Sequence, residues 1–207
     1  MKQCDAILYL GGLISNDGQA ESELSRRIGN AHGEYRKLRQ VWNHANLTKT
    51  QKLKFFEAFV LSKLTYGLAT TWLKKAQRRH LDGFHARCLR RMLGIPAAFI
   101  SRISNAAVFE QAKVRPVVEQ VLNRQLLLLR RVGCSPAGSL LRKNTLVGDT
   151  AIPVVGSYVR RVGRPRLDWT SQVIAEAVRR CGSGAIMEKA LVDKGLGGER
   201  RWRALMT

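Results

Sequence analysis

The stretch KAQRRHLDGFHARCLRRMLGIP, residues 75–96, determines much of the fold. Its apolar residues recur at steps of three and four, which predicts a helix with one apolar side. These residues are Leu81, Phe84, Cys88 and Met92. Gly94 provides a C-terminal cap and Pro96 prevents continuation, so we predict a helix from about Lys75 to Leu93.

The outward side of this predicted helix is strongly basic. Its cationic residues form the densest such cluster in the chain: Arg78, Arg79, Arg87, Arg90 and Arg91. Because few acidic residues accompany them, we expect contact with the phosphates of a nucleic acid. A merely solvated helix face is the alternative explanation.

Before this helix, the pattern changes from strand to helix. Residues 6–14 predict a short strand pair around Gly11-Gly12. An apolar stripe at helical spacing follows, formed by Leu24, Ile28, Ala31, Tyr35, Leu38 and Val41. The other faces of that predicted helix include Arg26, Arg27, Arg36 and Lys37, which we add to the candidate nucleic-acid-binding residues.

A capping box, Thr48-x-x-Gln51, predicts the start of another helix, which Gly67 ends or bends. Its predicted inward residues are Leu53, Phe56, Val60 and Leu64. Two more helices are predicted at about 101–112 and 117–132, with Gly133 as a C-terminal cap. Residues 134–168 lose periodicity, and a last helix at about 169–180 precedes a polar, Gly-rich tail.

The chain is therefore predicted to be mostly α-helical, with a small β element at its start and a loosely structured C-terminal extension. The predicted segments are a strand pair at 1–20, a thumb-like helical domain at 21–133, a linker or loop at 134–168, and a helix with a basic tail at 169–207. Whether the last two segments fold independently is left open.

The charge balance indicates the class of partner. The 207 residues include 36 Lys and Arg against 15 Asp and Glu, a net charge of +21, and the excess is spread over nearly the whole chain. The positive side chains of such a protein repel one another unless a polyanionic partner neutralises them. We expect RNA, DNA or an RNA–DNA hybrid as partner, with no membrane and no small-molecule substrate. An anionic membrane surface is the main competing explanation.

The residue types needed for catalysis are not arranged for it. Two-metal phosphoryl transfer needs carboxylates close enough to hold both ions. No two Asp residues are adjacent in this sequence. His80 and His85 lie five apart on one predicted helix and so do not share a face. The four cysteines are widely separated and form no C-x-x-C pair. We expect no catalytic residue, metal ligand or cofactor, and Cys88 as a thiol of the core.

The segment Gly163-Arg164-Pro165-Arg166 favours an extended backbone, because proline disfavours helix at the residue before it. An extended Arg-Pro-Arg fits a narrow A·T-rich minor groove, as in architectural DNA-binding proteins. Generic phosphate binding by Arg164 and Arg166, or a linker, is the explanation we favour.

The order and spacing of several residues resemble the region after the polymerase palm in reverse transcriptases of non-LTR (LINE-type) retrotransposons. The likeness covers roughly residues 7–96 well and 160–180 loosely. It is carried by Tyr9-Leu10-Gly11, Asp17-Gly18, Arg26-Arg27-Ile28, Trp42, Tyr66-Gly67, Trp72, Cys88-Leu89-Arg90-Arg91-Met92-Leu93-Gly94-Ile95 and Gly163-Arg164-Pro165-Arg166.

In that family the region is a helical thumb that grips the template–primer duplex. The resemblance implies that Arg26, Arg27, Arg90 and Arg91 face such a duplex. The catalytic palm is not found in this sequence, so we expect binding without polymerisation. The alternatives are a module that binds a partner such as the missing polymerase portion, a relic of a mobile element, and an architectural minor-groove binder. The expected location is intracellular, in the nucleus rather than the cytoplasm.

Overall fold

The computed structural model describes residues 5–16, 20–154 and 168–206. The chain divides into two compact units, residues 1–121 and 122–207. A strand pair opens the first unit, and helices make up most of both units, which confirms the predicted fold class. Among the described residues, no helix is both long enough and apolar enough to cross a bilayer.

The N-terminal strands, β1 (Ala6–Tyr9) and β2 (Gly12–Ser15), form the predicted antiparallel pair. Tyr9 lies opposite Gly12, which leaves Leu10 and Gly11 as a two-residue turn. Both turn residues have positive φ, 45° and 75°, as a type I′ turn requires. Glycine adopts this conformation without steric cost, which explains Gly11 at the second position.

Helix α1 (Glu21–His44) buries Leu24, Ala31 and Tyr35 of the predicted apolar stripe, and Ile28 and Leu38 are half-buried against the same core. Val41 is 57% exposed, whereas Trp42 is 8% exposed and belongs to the core. The prediction for Val41 is wrong because Trp42 lies seven residues, about two turns, after the buried Tyr35. Position 41 falls on a different side of the helix.

The second predicted helix is interrupted by a π-helical turn. It comprises α2 (Lys49–Phe55), the π turn Phe56–Leu61 and α3 (Ser62–Thr65), followed by a short 3₁₀ turn at Leu68–Thr70. The capping box at Thr48 is present, and Gly67 with φ of 73° ends the helical run as predicted. Of the predicted inward residues, Phe56, Val60 and Leu64 are buried, whereas Leu53 is half-buried and packs in a separate apolar cluster.

Helix α4 (Lys75–Leu93) has the predicted bounds and ends at Gly94, whose φ is 72°. It is buried on two sides. Leu81, Phe84 and Cys88 join the main cluster with α1 and the π turn. Ala86 and Leu89 join a second cluster with α6 (Asn105–Ala112), which follows the short helix α5 (Ala98–Ser101).

Helix α7 (Val117–Cys134) passes from the first unit into the second. The prediction of Gly133 as a C-terminal cap is wrong, because Gly133 is a buried residue within α7. A Cβ at this position would lie 2.5 Å from Cγ of Leu191. Gly133 therefore permits close packing of α7 against the helix that carries Leu191.

The C-terminal region is more ordered than its composition suggests. The predicted linker contains α8 (Leu140–Lys143) and a bridge between Leu146 and Pro153. After α9 (Trp169–Cys181), the expected tail is replaced by two helices, α10 (Gly184–Val192) and α11 (Gly195–Met206). This correction has a physical reason: Leu191 and Trp202 are fully buried, so these segments contribute apolar side chains to a core.

Candidate nucleic-acid interface

Helices α1 and α4 border a groove of about 390 Å³ in the first unit. The hydroxyl of Tyr35 on α1 donates a 3.4 Å hydrogen bond to the carbonyl oxygen of Cys88 on α4. The residues that line the groove are Ser25, Ile28, Gly29, His32, His80, Phe84, Arg87, Cys88 and Arg91. No acidic residue is among them, so the groove is cationic.

Two arginines line this groove, and the charge of a third, Arg36, acts on one of its lining residues. Arg87 and Arg91 lie four residues apart on α4 and are exposed at its rim. Arg36 is exposed on α1. Burial lowers the pKa of His32, and the charges of Arg36, Arg91 and Arg87 lower it further. The positive charges of the three arginines therefore act on His32, which lines the groove.

The thiol of Cys88 lies at the bottom of the groove and is 3% exposed. Burial raises the pKa of Cys88 to about 12, although Arg91 and Arg87 act in the opposite direction. The thiol is therefore protonated at neutral pH and unsuited to nucleophilic chemistry. The prediction of a core thiol is confirmed.

Arg90 does not face outward, and that prediction is wrong. The side chain is 4% exposed because α6 and the segment before it cover this side of α4. Its guanidinium donates hydrogen bonds to the carbonyl oxygens of Ile103, at 2.6 Å, and Pro96, at 3.4 Å. It also donates to Oδ1 of Asn105 at 3.2 Å. Arg90 holds the segment between α4 and α6 and presents no donor to the groove.

Arg26 and Arg27 bind the hairpin turn. Both guanidinium groups donate hydrogen bonds to the carbonyl oxygen of Gly11 and to the carboxylate of Glu23. Glu23 also accepts a 3.0 Å hydrogen bond from the amide of Leu13. Although burial raises the pKa of Glu23, the hydrogen bonds from Arg26 and Arg27 lower it overall. Arg27 is only 7% exposed, so its role here is to anchor the hairpin to α1.

Two other predicted residues have local partners. Arg78 lies over the ring of Trp72, 4.1 Å from its centroid, and donates a 2.9 Å hydrogen bond to the carbonyl oxygen of Leu73. Lys37 forms an ion pair with Glu34 at 3.2 Å. Neither residue lines the groove.

The remaining predicted residues are Arg79, Arg164 and Arg166. Arg79 is exposed on α4 but does not line the groove. Arg164 and Arg166 lie outside the residues that the structure describes. Of the predicted residues that the structure describes, Arg87 and Arg91 therefore line the groove, and Arg36 is exposed on α1 with its charge acting on His32.

The other residues that shape the groove, His32 and Gly29 among them, were not predicted from the sequence. His32 and Gly29 lie four and seven residues before Arg36, a spacing that places all three on one side of α1. A glycine inside a helix has a cost in stability and so suggests a packing or functional reason. That signal was present in the sequence, but it becomes specific only when α4 is placed beside α1.

Within residues 5–16, 20–154 and 168–206, no three His, Cys, Asp or Glu side chains are grouped as a metal site would need. Comparisons with protein-family models, with curated proteins and with solved structures find no match for this chain.

Proposed function

We propose that this chain binds RNA, DNA or an RNA–DNA hybrid through the α1–α4 groove, as a thumb-like part of a retrotransposon-type RNA-directed DNA polymerase. The observation that carries the proposal is that Arg87 and Arg91 line a groove without an acidic lining residue, with the charge of Arg36 acting on His32 in the same groove. The sequence resemblance to non-LTR reverse transcriptases supports the choice of partner.

Binding in this proposal is electrostatic and does not include synthesis. Each backbone phosphate that an arginine neutralises releases condensed counterions, so the affinity depends steeply on salt. The arginine fork also forms two parallel hydrogen bonds to a phosphate, which fixes the position of the backbone. We expect the chain to act in the nucleus rather than the cytoplasm, because this location is inferred from its nucleic-acid partner.

The test is a titration of labelled RNA–DNA hybrid, duplex DNA and single strands, followed by fluorescence anisotropy at several salt concentrations. We expect binding that weakens at least about tenfold between 50 and 200 mM salt. The absence of binding to all three at low salt would contradict the proposal.

A second candidate function, a module that docks on another protein, is favoured by the hairpin. Four large apolar side chains of its strands, Ile7, Leu8, Tyr9 and Ile14, are each at least 60% exposed. Exposed apolar clusters of this kind mark protein contacts. The test uses ANS, a dye whose fluorescence rises when it binds exposed apolar surface. The double variant Ile7→Lys/Ile14→Lys should induce less ANS fluorescence than the parent protein. Equal fluorescence from the variant and the parent protein would exclude the hairpin as the exposed apolar docking surface.

A further inference from the structure

The groove has a feature that phosphate binding alone does not use, namely an apolar floor. Phe84 and Cys88 form its base, and each is 3% exposed. Ile28 lies beside them on α1 and is half-buried. A phosphate backbone requires only a cationic surface, whereas an apolar floor gains free energy when a flat, weakly hydrated group displaces its water.

Gly29 keeps the wall of the groove open. Apart from Gly29, its two chain neighbours and the nearby backbone of α1, no described heavy atom lies within 4 Å of the position that a Cβ on Gly29 would take. A glycine inside a helix is less stable than alanine by about 0.5–1 kcal/mol. Gly29 carries that cost at a position that lines the groove and has open space beside it.

An aromatic ring and two cations stand around this space. The imidazole of His32 lies edge-on to Phe84, with ring centroids 6.5 Å apart and an interplanar angle of 74°. Arg87 and Arg91 stand at the rim. Unpaired bases bind proteins by stacking on aromatic rings and guanidinium planes, while nearby cations hold their phosphates. The volume of about 390 Å³ lies in the usual range of small-ligand pockets.

We propose that the groove accepts one unpaired nucleotide, with its base on the floor formed by Ile28 and Phe84 and its phosphate on Arg87 and Arg91. This inference rests on the proposed function and makes it more specific. Single-stranded nucleic acid, or a duplex with an unpaired end, is then the preferred partner over a fully paired duplex.

The test compares two single-stranded oligonucleotides of equal length, one with bases and one with abasic residues, so that both carry the same phosphates. We expect the parent protein to bind the base-bearing strand at least about tenfold more tightly. Gly29→Leu fills the groove and should reduce that preference to near one, while the affinity for the abasic strand stays within about twofold.

Gly33→Leu is the matched control, because Gly33 lies on the same helix, also has open space at its Cβ position, and does not line the groove. It should leave the preference unchanged. Equal binding of the two strands by the parent protein, or equal effects of the two glycine variants, would overturn the inference but not the proposed function. If neither strand binds at low salt while the hybrid or the duplex does, the inference alone fails; if none of these nucleic acids binds, both fail.

Discussion

The guanidinium Nη2 of Arg90 donates a 2.6 Å hydrogen bond to the carbonyl oxygen of Ile103, while the next residue, Arg91, is exposed at the rim of the groove. Two adjacent arginines therefore have opposite environments. Arg90 takes the place of water as the hydrogen-bond donor to the backbone between α4 and α6, whereas Arg91 is available to a ligand. Their variants separate stability from binding.

Arg90→Ala should lower the free energy of unfolding by about 2–4 kcal/mol, because the change removes a buried guanidinium and the backbone carbonyl groups of Pro96 and Ile103 lose their charged donor. Arg91→Ala should change it by less than about 0.5 kcal/mol, because the side chain is exposed. Urea denaturation followed by circular dichroism measures both values. Equal destabilisation by the two variants would contradict the assignment of Arg90 to a structural role.

The misplacement of Arg90 shows what periodicity omits. The spacing of Leu81, Phe84 and Cys88 predicted one buried side of α4 and the correct bounds of the helix. It did not show that α6 covers a second side, because that contact depends on residues about 20 positions further along the chain. The prediction for Val41 failed for a related reason. It relied on the apolar character of Val41, whereas the two-turn step from the buried Tyr35 leads to Trp42.

The prediction of the site was limited in the same way. Sequence reasoning identified Arg36, Arg87 and Arg91 among many cations, but it had no means to separate them from Arg27, which is 7% exposed and bound to Gly11. Local charge does not reveal which guanidinium groups meet backbone carbonyls. That information comes only from tertiary contacts.

Two glycines on different helices should respond to alanine in opposite directions. Gly133→Ala should destabilise the protein by about 1–3 kcal/mol, because the added Cβ would meet Leu191 at 2.5 Å. Gly33→Ala should stabilise it by about 0.5–1 kcal/mol, because α1 has open space there and alanine favours the helix. Thermal unfolding of both variants checks the signs, and stabilisation by Gly133→Ala would refute the close packing of α7.

Stability should fall in mild acid because of His85. This residue is 1% exposed, stacks with Phe56 at a ring distance of 5.7 Å, and has no hydrogen-bond partner at Nδ1 within the described residues. Burial lowers the pKa of His85 to about 4. The unfolded chain takes up this proton near pH 6.5, so the stabilisation present above that pH is lost as the pH falls toward 4.

The expected slope from His85 alone is at most about 1.4 kcal/mol per pH unit. Carboxylates such as Glu23 also titrate in acid, so the measurement is a comparison. Urea midpoints at several pH values should decline less steeply for His85→Phe, which keeps an aromatic ring in the same place. Parallel pH profiles for the parent protein and the variant would contradict the prediction.

Binding of nucleic acid should strengthen as the pH falls from about 8 to about 5.5. Burial and the neighbouring arginines lower the pKa of His32 in the free protein. A phosphate in the groove offsets that positive field and raises the pKa, so binding takes up a proton. His32→Gln should flatten the pH dependence of Kd. An unchanged dependence in this variant would mean that the ligand does not approach His32.

The central claim is that the charges of the groove, and not the net charge of the whole chain, hold the nucleic acid. The most direct measurement compares two triple variants that each remove three positive charges. One changes Arg36, Arg87 and Arg91 to alanine, and the other changes the exposed residues Arg131, Lys189 and Arg200 of the second unit. The salt dependence of Kd for each variant is measured with the same labelled oligonucleotide. We predict that the groove variant loses at least about tenfold in affinity and about two to three units of salt slope, while the other stays near the parent protein. Equal losses in the two variants would contradict the account.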